Sequence, residues 1–298
     1  MDEPHARGAV AAPVTGPHGD SLMRRIGRAV ARSLWPADDL GEAVETGRAV
    51  QRPITTGRRI AVGGVDGETD HGVLTALLAT VFAHYRHDRV LAVDVDPGVG
   101  SLEYRFGVRP RLSLGDLGRE AGGGGSFEVI EPYLTAVRER LWTLPVTRDD
   151  MGGHAAGDRG VVTALSRFFG VTLVDCGPET SSAVDRAVLA AAHARVLVVP
   201  ATREGAFQAG RALDLMVAED AGLPRRSVVV FAEQAPGGDP RFDLLGTAGV
   251  VRRSGAAIAL LGYDRHLALT SVPDPRRLAR NTHTTVVRLA AETLRRAG

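Results

Sequence analysis

Short, continuous apolar runs recur along most of the chain and are separated by segments of helical period. The runs are RRIAVGG (58–64), VLAVDVD (90–96), LWTLPV (141–146), VTLVDC (171–176), RVLVVP (195–200) and SVVVFA (227–232), with AAIALLG (256–262) a further candidate. Between most of them lie helix-period segments: GVLTALLATVFAHYR (72–86), then stretches around 157–169, 181–193, 204–220 and 276–296. Strands that read as unbroken Val/Leu runs rather than as alternations must be buried on both faces. Runs of that kind alternating with helices predict a doubly wound, mostly parallel α/β sheet with helices on both sides.

The first part of the chain reads differently. Residues 1–20 are rich in Gly, Pro, Ala and His and have no apolar period, which predicts disorder. Two short helical stretches follow, at 21–35 and at Leu40–Val50, before Pro53, Thr55, Thr56 and Gly57 interrupt the pattern. The expected organisation is an N-terminal tail over residues 1–57 and one α/β domain over 58–298. Projected at 100° per residue, Leu22, Met23, Ile26, Val30 and Leu34 fall within about 120° of one another, while Arg24, Arg25, Arg28 and Arg32 fall opposite. A basic amphipathic helix of this kind is expected to dock on an anionic membrane leaflet, on an acidic groove of a partner, or back onto its own domain.

Composition narrows the chemistry. The 298 residues carry a formal net charge of +1, which argues against a protein that coats nucleic acid electrostatically. No apolar run is long enough to span a bilayer, and the acidic start (Met1, Asp2, Glu3) is not that of a secretory signal, so a cytoplasmic location is expected, with peripheral contact at the inner membrane face through the tail helix. The single cysteine, Cys176, excludes a disulfide framework and a cysteine-based zinc site. Every one of the 36 basic residues is arginine, so no chemistry that needs a lysine can occur.

In doubly wound sheets, ligands bind beyond the C-terminal ends of the strands. At those ends stand GGVDGETDHG (63–72), VLAVDVDPGVGSLEYRFG (90–107), LVDCGPET (173–180) and GYDRHL (262–267). Taken in this order, from the lead-in QRPITTGRRIAVGG (51–64) onward, they resemble the MinD/ParA group of P-loop ATPases in its actinobacterial form. The resemblance implies a P-loop fold. It implies Asp94 as the acid near the attacking water and Asp175 as the Walker B acid that holds magnesium through water. It also implies a late loop, 262–267, lying against the base.

The phosphate loop departs from that family. Its KGGxGK[ST] pattern lets backbone N–H groups approach phosphate, sends a lysine to the β- and γ-phosphates and places a hydroxyl on Mg²⁺. Following Gly63 and Gly64, the aligned positions here are Val65, Asp66, Gly67, Glu68, Thr69, Asp70 and His71, with Val65 at the signature lysine, Asp70 at the Walker lysine and His71 at the hydroxyl. Two lysines give way to three acids, a change from +2 to −3 beside an anionic ligand. A like-charge pair at ~4 Å costs about 4 kcal/mol near a protein surface, and a micromolar ligand has only about 8 kcal/mol in all. Arg58 and Arg59 stand at the opposite end of the strand, and Ala232 and Glu233 follow Phe231 where the family often has an asparagine for the base.

These departures predict a pseudo-ATPase with a degenerate Walker A loop, no catalytic residue and no bound metal or cofactor, acting as a regulator or scaffold on a protein partner. That partner would be an active ATPase or a secretion component. The resemblance suggests type VII secretion, polar positioning or chromosome segregation. The alternative is a Mg–ATP-dependent ATPase whose arginines or backbone groups replace both lysines. Lesser signals have plainer readings. Asp66, Glu68 and Asp70 alternate like the start of a calcium loop, but Leu77 stands where the bidentate Glu belongs. His84 and His87 could pair on a metal or face solvent, and Cys176 reads as a packed small hydrophobe.

Overall fold

The computed structural model describes residues 40–65, 69–95, 102–120, 125–145, 162–177 and 188–298. Residues 1–20, the tail helix expected at 21–35, loop residues Asp66, Gly67 and Glu68, Asp96, and parts of the helices expected around 157–169 and 181–193 lie outside the described residues. In chain order the elements are α1 (Leu40–Val50), β1 (Arg58–Gly64), α2 (His71–Tyr85), β2 (Val90–Asp94), α3 (Leu102–Phe106), α4 (Leu114–Glu120), α5 (Phe127–Ile130), β3 (Thr135–Arg138), β4 (Leu141–Pro145) and β5 (Val171–Cys176). They continue with β6 (Ala194–Pro200), α6 (Arg203–Glu219), β7 (Ser227–Ala232), α7 (Leu244–Ser254), β8 (Ala257–Leu261), α8 (Arg265–Leu269) and α9 (Arg280–Arg296). Helical residues also occupy 162–165 and 188–191.

The strands form one eight-stranded sheet in the order β3-β4-β2-β5-β1-β6-β7-β8. Every pairing is parallel except β3 with β4. All seven expected apolar runs are strands. The eighth, β3, is a four-residue edge strand whose residues alternate between half-buried and exposed.

Both faces are covered, as the unbroken runs require. On one face α2 and α9 lie over the sheet, and Ile60, Val62, Leu173, Val196 and Val230 pack against Leu74, Leu78, Phe82, Val286 and Leu289. Helix α2 is buried nearly all round, from Leu74 to Ala83, because the sheet, α3 and α9 enclose it. Helix α1 lies on α9 and α2, and Val50 is fully buried. The buried Arg86 guanidinium donates to the carbonyls of Val50 (2.7 Å) and Arg52 (2.9 Å), fixing the link from α1 into β1. Helix α1 is therefore part of the folded body. On the other face, one cluster of Leu91, Val93, Ile130, Leu165 and Phe169 and a second of Leu197, Val199, Leu213, Phe231 and Val251 complete the core.

Candidate functional site at the C-terminal strand ends

Strand β1 sits between β5 and β6, and the chain leaves it at Gly63 and Gly64 in the middle of the sheet's C-terminal edge. Gly63 approaches its neighbours closely: a Cβ there would lie 3.3 Å from the Gly177 carbonyl oxygen. Val65 follows, its N–H donating to the Val198 carbonyl at 3.4 Å. Thr69 is buried, and its carbonyl accepts from His71 N–H at 2.9 Å as helix α2 begins.

Asp94 and Asp175 end adjacent parallel strands and are direct register partners, so the two acids expected at the site stand side by side, both buried. Neither faces open solvent. Asp94 accepts the backbone N–H of Leu102 at 2.8 Å and so holds the start of α3. One oxygen of Asp175 receives the Thr75 hydroxyl at 2.7 Å and lies 2.9 Å from His71 Nδ1. His71, which the motif alignment places at the hydroxyl position, thus reaches Asp175, the acid that the resemblance implies for magnesium.

The start of α2 is the position where a P-loop protein would seat phosphate, because free N–H groups and the helix dipole converge there. Here the Asp70 carboxylate caps it, accepting from Val73 N–H at 3.1 Å. Its other oxygen pairs with the Arg105 guanidinium, carried on α3. Arg105 also reaches the Ser271 carbonyl at 3.5 Å, and Ser271 donates its hydroxyl to Tyr104 at 2.7 Å. Helix α3 thereby bridges the phosphate-loop helix and the loop after α8. Neither Arg105 nor Thr75 was a candidate from the sequence. Thr75 lies inside an apolar helical run, and nothing local separates Arg105 from the other arginines.

Glu233, the residue after β7, accepts Tyr263 N–H at 3.1 Å and is so tied to the late loop. Asp264 is buried. Burial alone would raise its pKa, but N–H groups of Ala279, His266 and Leu267 point at its carboxylate and hold it below the ordinary value. Arg58 and Arg59 are engaged at the far end of β1, with Gly298 and with Ala191 and Ser166. Cys176 is fully buried, and His84 stacks edge-on against Tyr85 at 5.0 Å. Among the described residues no group of three or more His, Cys, Asp or Glu is placed to hold a metal ion, and no helix is long and apolar enough to cross a membrane.

This sheet order, with a loop leaving β1 into α2 and paired acids on β2 and β5, is the fold of the MinD/ParA P-loop ATPases. A ParA family ATPase from Chlorobium tepidum superposes with a TM-score of 0.65 at 17% identity, covering 78% of this chain and 98% of that one. The cell division ATPase MinD of Pyrococcus furiosus gives 0.62 at 19% identity, covering 80% and 99%. MinD of Aquifex aeolicus in a MinC:MinD complex gives 0.62 at 17%, covering 80% and 96%. In sequence, the chain is similar to the ESX-1 secretion-associated protein EspI of Mycobacterium tuberculosis, 29% identical over 219 residues. That alignment covers 70% of this chain and 32% of the relative, so the chain matches about a third of the relative's length. No protein-family model matches the chain.

Proposed function

We propose that the protein is a non-catalytic member of the MinD/ParA-like group, a regulator or scaffold linked to secretion that works through a protein partner. One observation carries the reading. The residue at the Walker lysine position, Asp70, is an acid that caps α2 and is paired with Arg105, in a chain that contains no lysine. The surrounding groups agree with it. Asp175 already receives Thr75 and His71, and Asp94 holds Leu102. These residues do not fit Mg–ATP: its phosphates would meet a carboxylate at the helix start, and its magnesium would have to displace His71 and Thr75.

The link to secretion rests on the similarity to a secretion-associated protein, and the resemblance suggests the type VII form. The partner would be an active ATPase of the same fold or another secretion component; a MinD in complex with MinC is among the structural neighbours. The tail helix at 21–35 is read as a peripheral contact to the inner face of the membrane. Removing residues 1–36 should abolish co-sedimentation with anionic vesicles at low salt, and undiminished binding would remove that role.

Phosphate release at millimolar Mg–ATP tests the non-catalytic reading: the expected rate is background, the same for wild type and Asp175→Ala. A turnover that disappears on Asp175→Ala would favour the second reading, an ATP-binding ATPase with an altered loop. One feature supports that second reading: Arg105 puts a cation beside the helix start, where phosphate would need one.

A further inference from the structure

A second site lies at the other end of the sheet. The lead-in to β1, the starts of β2 and β4 and the segment before β5 surround an open cleft of about 560 Å³. Its floor is aromatic. Trp142 and Phe169 line it and meet edge to face at 6.1 Å, with Phe127 packed against both from the core at 5.6 and 6.0 Å. Its rim is cationic. Arg89, Arg140 and Arg167 line it together with His87, Trp142 and Phe168. The one acid in the lining, Asp88, is paired with Arg86.

The arginines are held in place by ring and polar contacts: Arg140 lies 3.3 Å from His87 Nδ1, and Arg167 donates to the Gly125 carbonyl at 3.2 Å. The Arg89 guanidinium lies 3.8 Å above the Phe127 ring, and that of Arg167 lies 4.6 Å from the Phe168 ring. Arg140 occupies the two-residue turn between β3 and β4 at φ 63°, a left-handed conformation that glycine adopts freely and arginine does not. Its carbonyl accepts from Val90 N–H at 2.8 Å, so the turn is fixed to the start of β2. Its Nε is buried without a hydrogen-bond partner among the described residues. Its ion pair is with Glu139, whose side chain is 83% exposed, a contact of little strength. Backbone strain kept at a residue whose side chain lines a cleft points to a ligand.

We propose that this cleft binds an acidic peptide segment of a partner protein, with an aromatic or aliphatic side chain seated on the Trp142 floor and carboxylates on the arginine rim. Arginine forks match carboxylates two bonds at a time, and arginine with tryptophan forms the centre of many protein interfaces. An open cleft suits a chain segment better than a small metabolite, which takes an enclosed pocket. The whole-chain charge of +1 disfavours nucleic acid. The proposal extends the partner-binding reading above but stands on a surface remote from the phosphate loop, so its failure leaves the nucleotide argument intact.

The test is a random dodecapeptide array probed with the fluorescently labelled full chain, followed by anisotropy titration of the strongest peptides. The enriched peptides should combine two or more Asp or Glu with an apolar residue and weaken as salt rises. Affinity should fall at least ~10-fold in Arg140→Gln/Arg167→Gln. It should also fall in Arg140→Gly, whose melting temperature should not drop because glycine suits the turn, so lost binding is not lost folding. Enrichment without acidic bias, affinity unchanged in these variants, or no peptide binding alongside arginine-dependent binding of inorganic phosphate or of phosphatidylserine vesicles would each overturn the proposal.

Discussion

If the non-catalytic reading proposed above holds, restoring the phosphate loop is expected to create nucleotide binding. The variant combines Val65→Lys, Asp66→Gly, Glu68→Val, Thr69→Gly, Asp70→Lys and His71→Thr. It exchanges three acids for two cations and returns a hydroxyl to the position that faces Asp175. Each close like-charge pair removed is worth about 4 kcal/mol at an effective surface dielectric, so even partial relief brings Mg–ATP towards micromolar affinity, about 8 kcal/mol. The same change frees Arg105 from Asp70 and leaves it beside the phosphate site. At a hundredfold excess over Kd the bound ligand would stabilise the fold by about 2.7 kcal/mol, an upward shift in melting temperature of about 4–5 °C. A correctly folded variant with no shift would mean that residues beyond the loop, Glu233 and the late loop among them, also oppose binding.

Asp175→Ala is expected to lower stability rather than activity. The carboxylate is buried and accepts from Thr75 and His71, so its removal leaves two groups short of an acceptor. Thr75 can fall back on the His71 carbonyl, 3.1 Å away, which limits the damage. The expected cost is about 1–3 kcal/mol, read by chemical denaturation, with Asp175→Asn less affected because it keeps an acceptor. In a working ATPase the acid would serve magnesium, and the substitution would abolish turnover. Loss of an ATP-dependent activity with stability unchanged would contradict the structural role assigned to Asp175.

Most of the sheet was legible because a strand buried on both faces has to be written in apolar residues. RVLVVP and SVVVFA admit no other placement in a domain of this size. Strand β3 was not legible: four residues with alternating exposure at an edge carry too little signal, and its pairing with β4 comes from the turn at Glu139 and Arg140. The short helices α3, α4 and α5 have no sustained period; Asp94 sets the start of α3 from a neighbouring strand, while Ser113 and Asp116 cap α4 locally. At the site, Asp70, Asp94 and Asp175 could be picked out because they terminate readable strands or open a readable helix. Arg105 and Thr75 could not, since their roles arise when α3 folds back over α2 and when the first turns of α2 face β5. The cleft at the opposite end was invisible for the same reason. Arg89, Arg140 and Arg167 lie on three separate segments that only the parallel sheet brings together.

The central claim is that this chain keeps the MinD/ParA fold while its phosphate loop no longer accepts a nucleotide. Calorimetric titration of the wild-type full chain with Mg–ATP tests it most directly. The account predicts no saturable heat up to millimolar ATP. A saturable isotherm with a micromolar Kd, abolished by Asp175→Ala and absent with AMP, would contradict it.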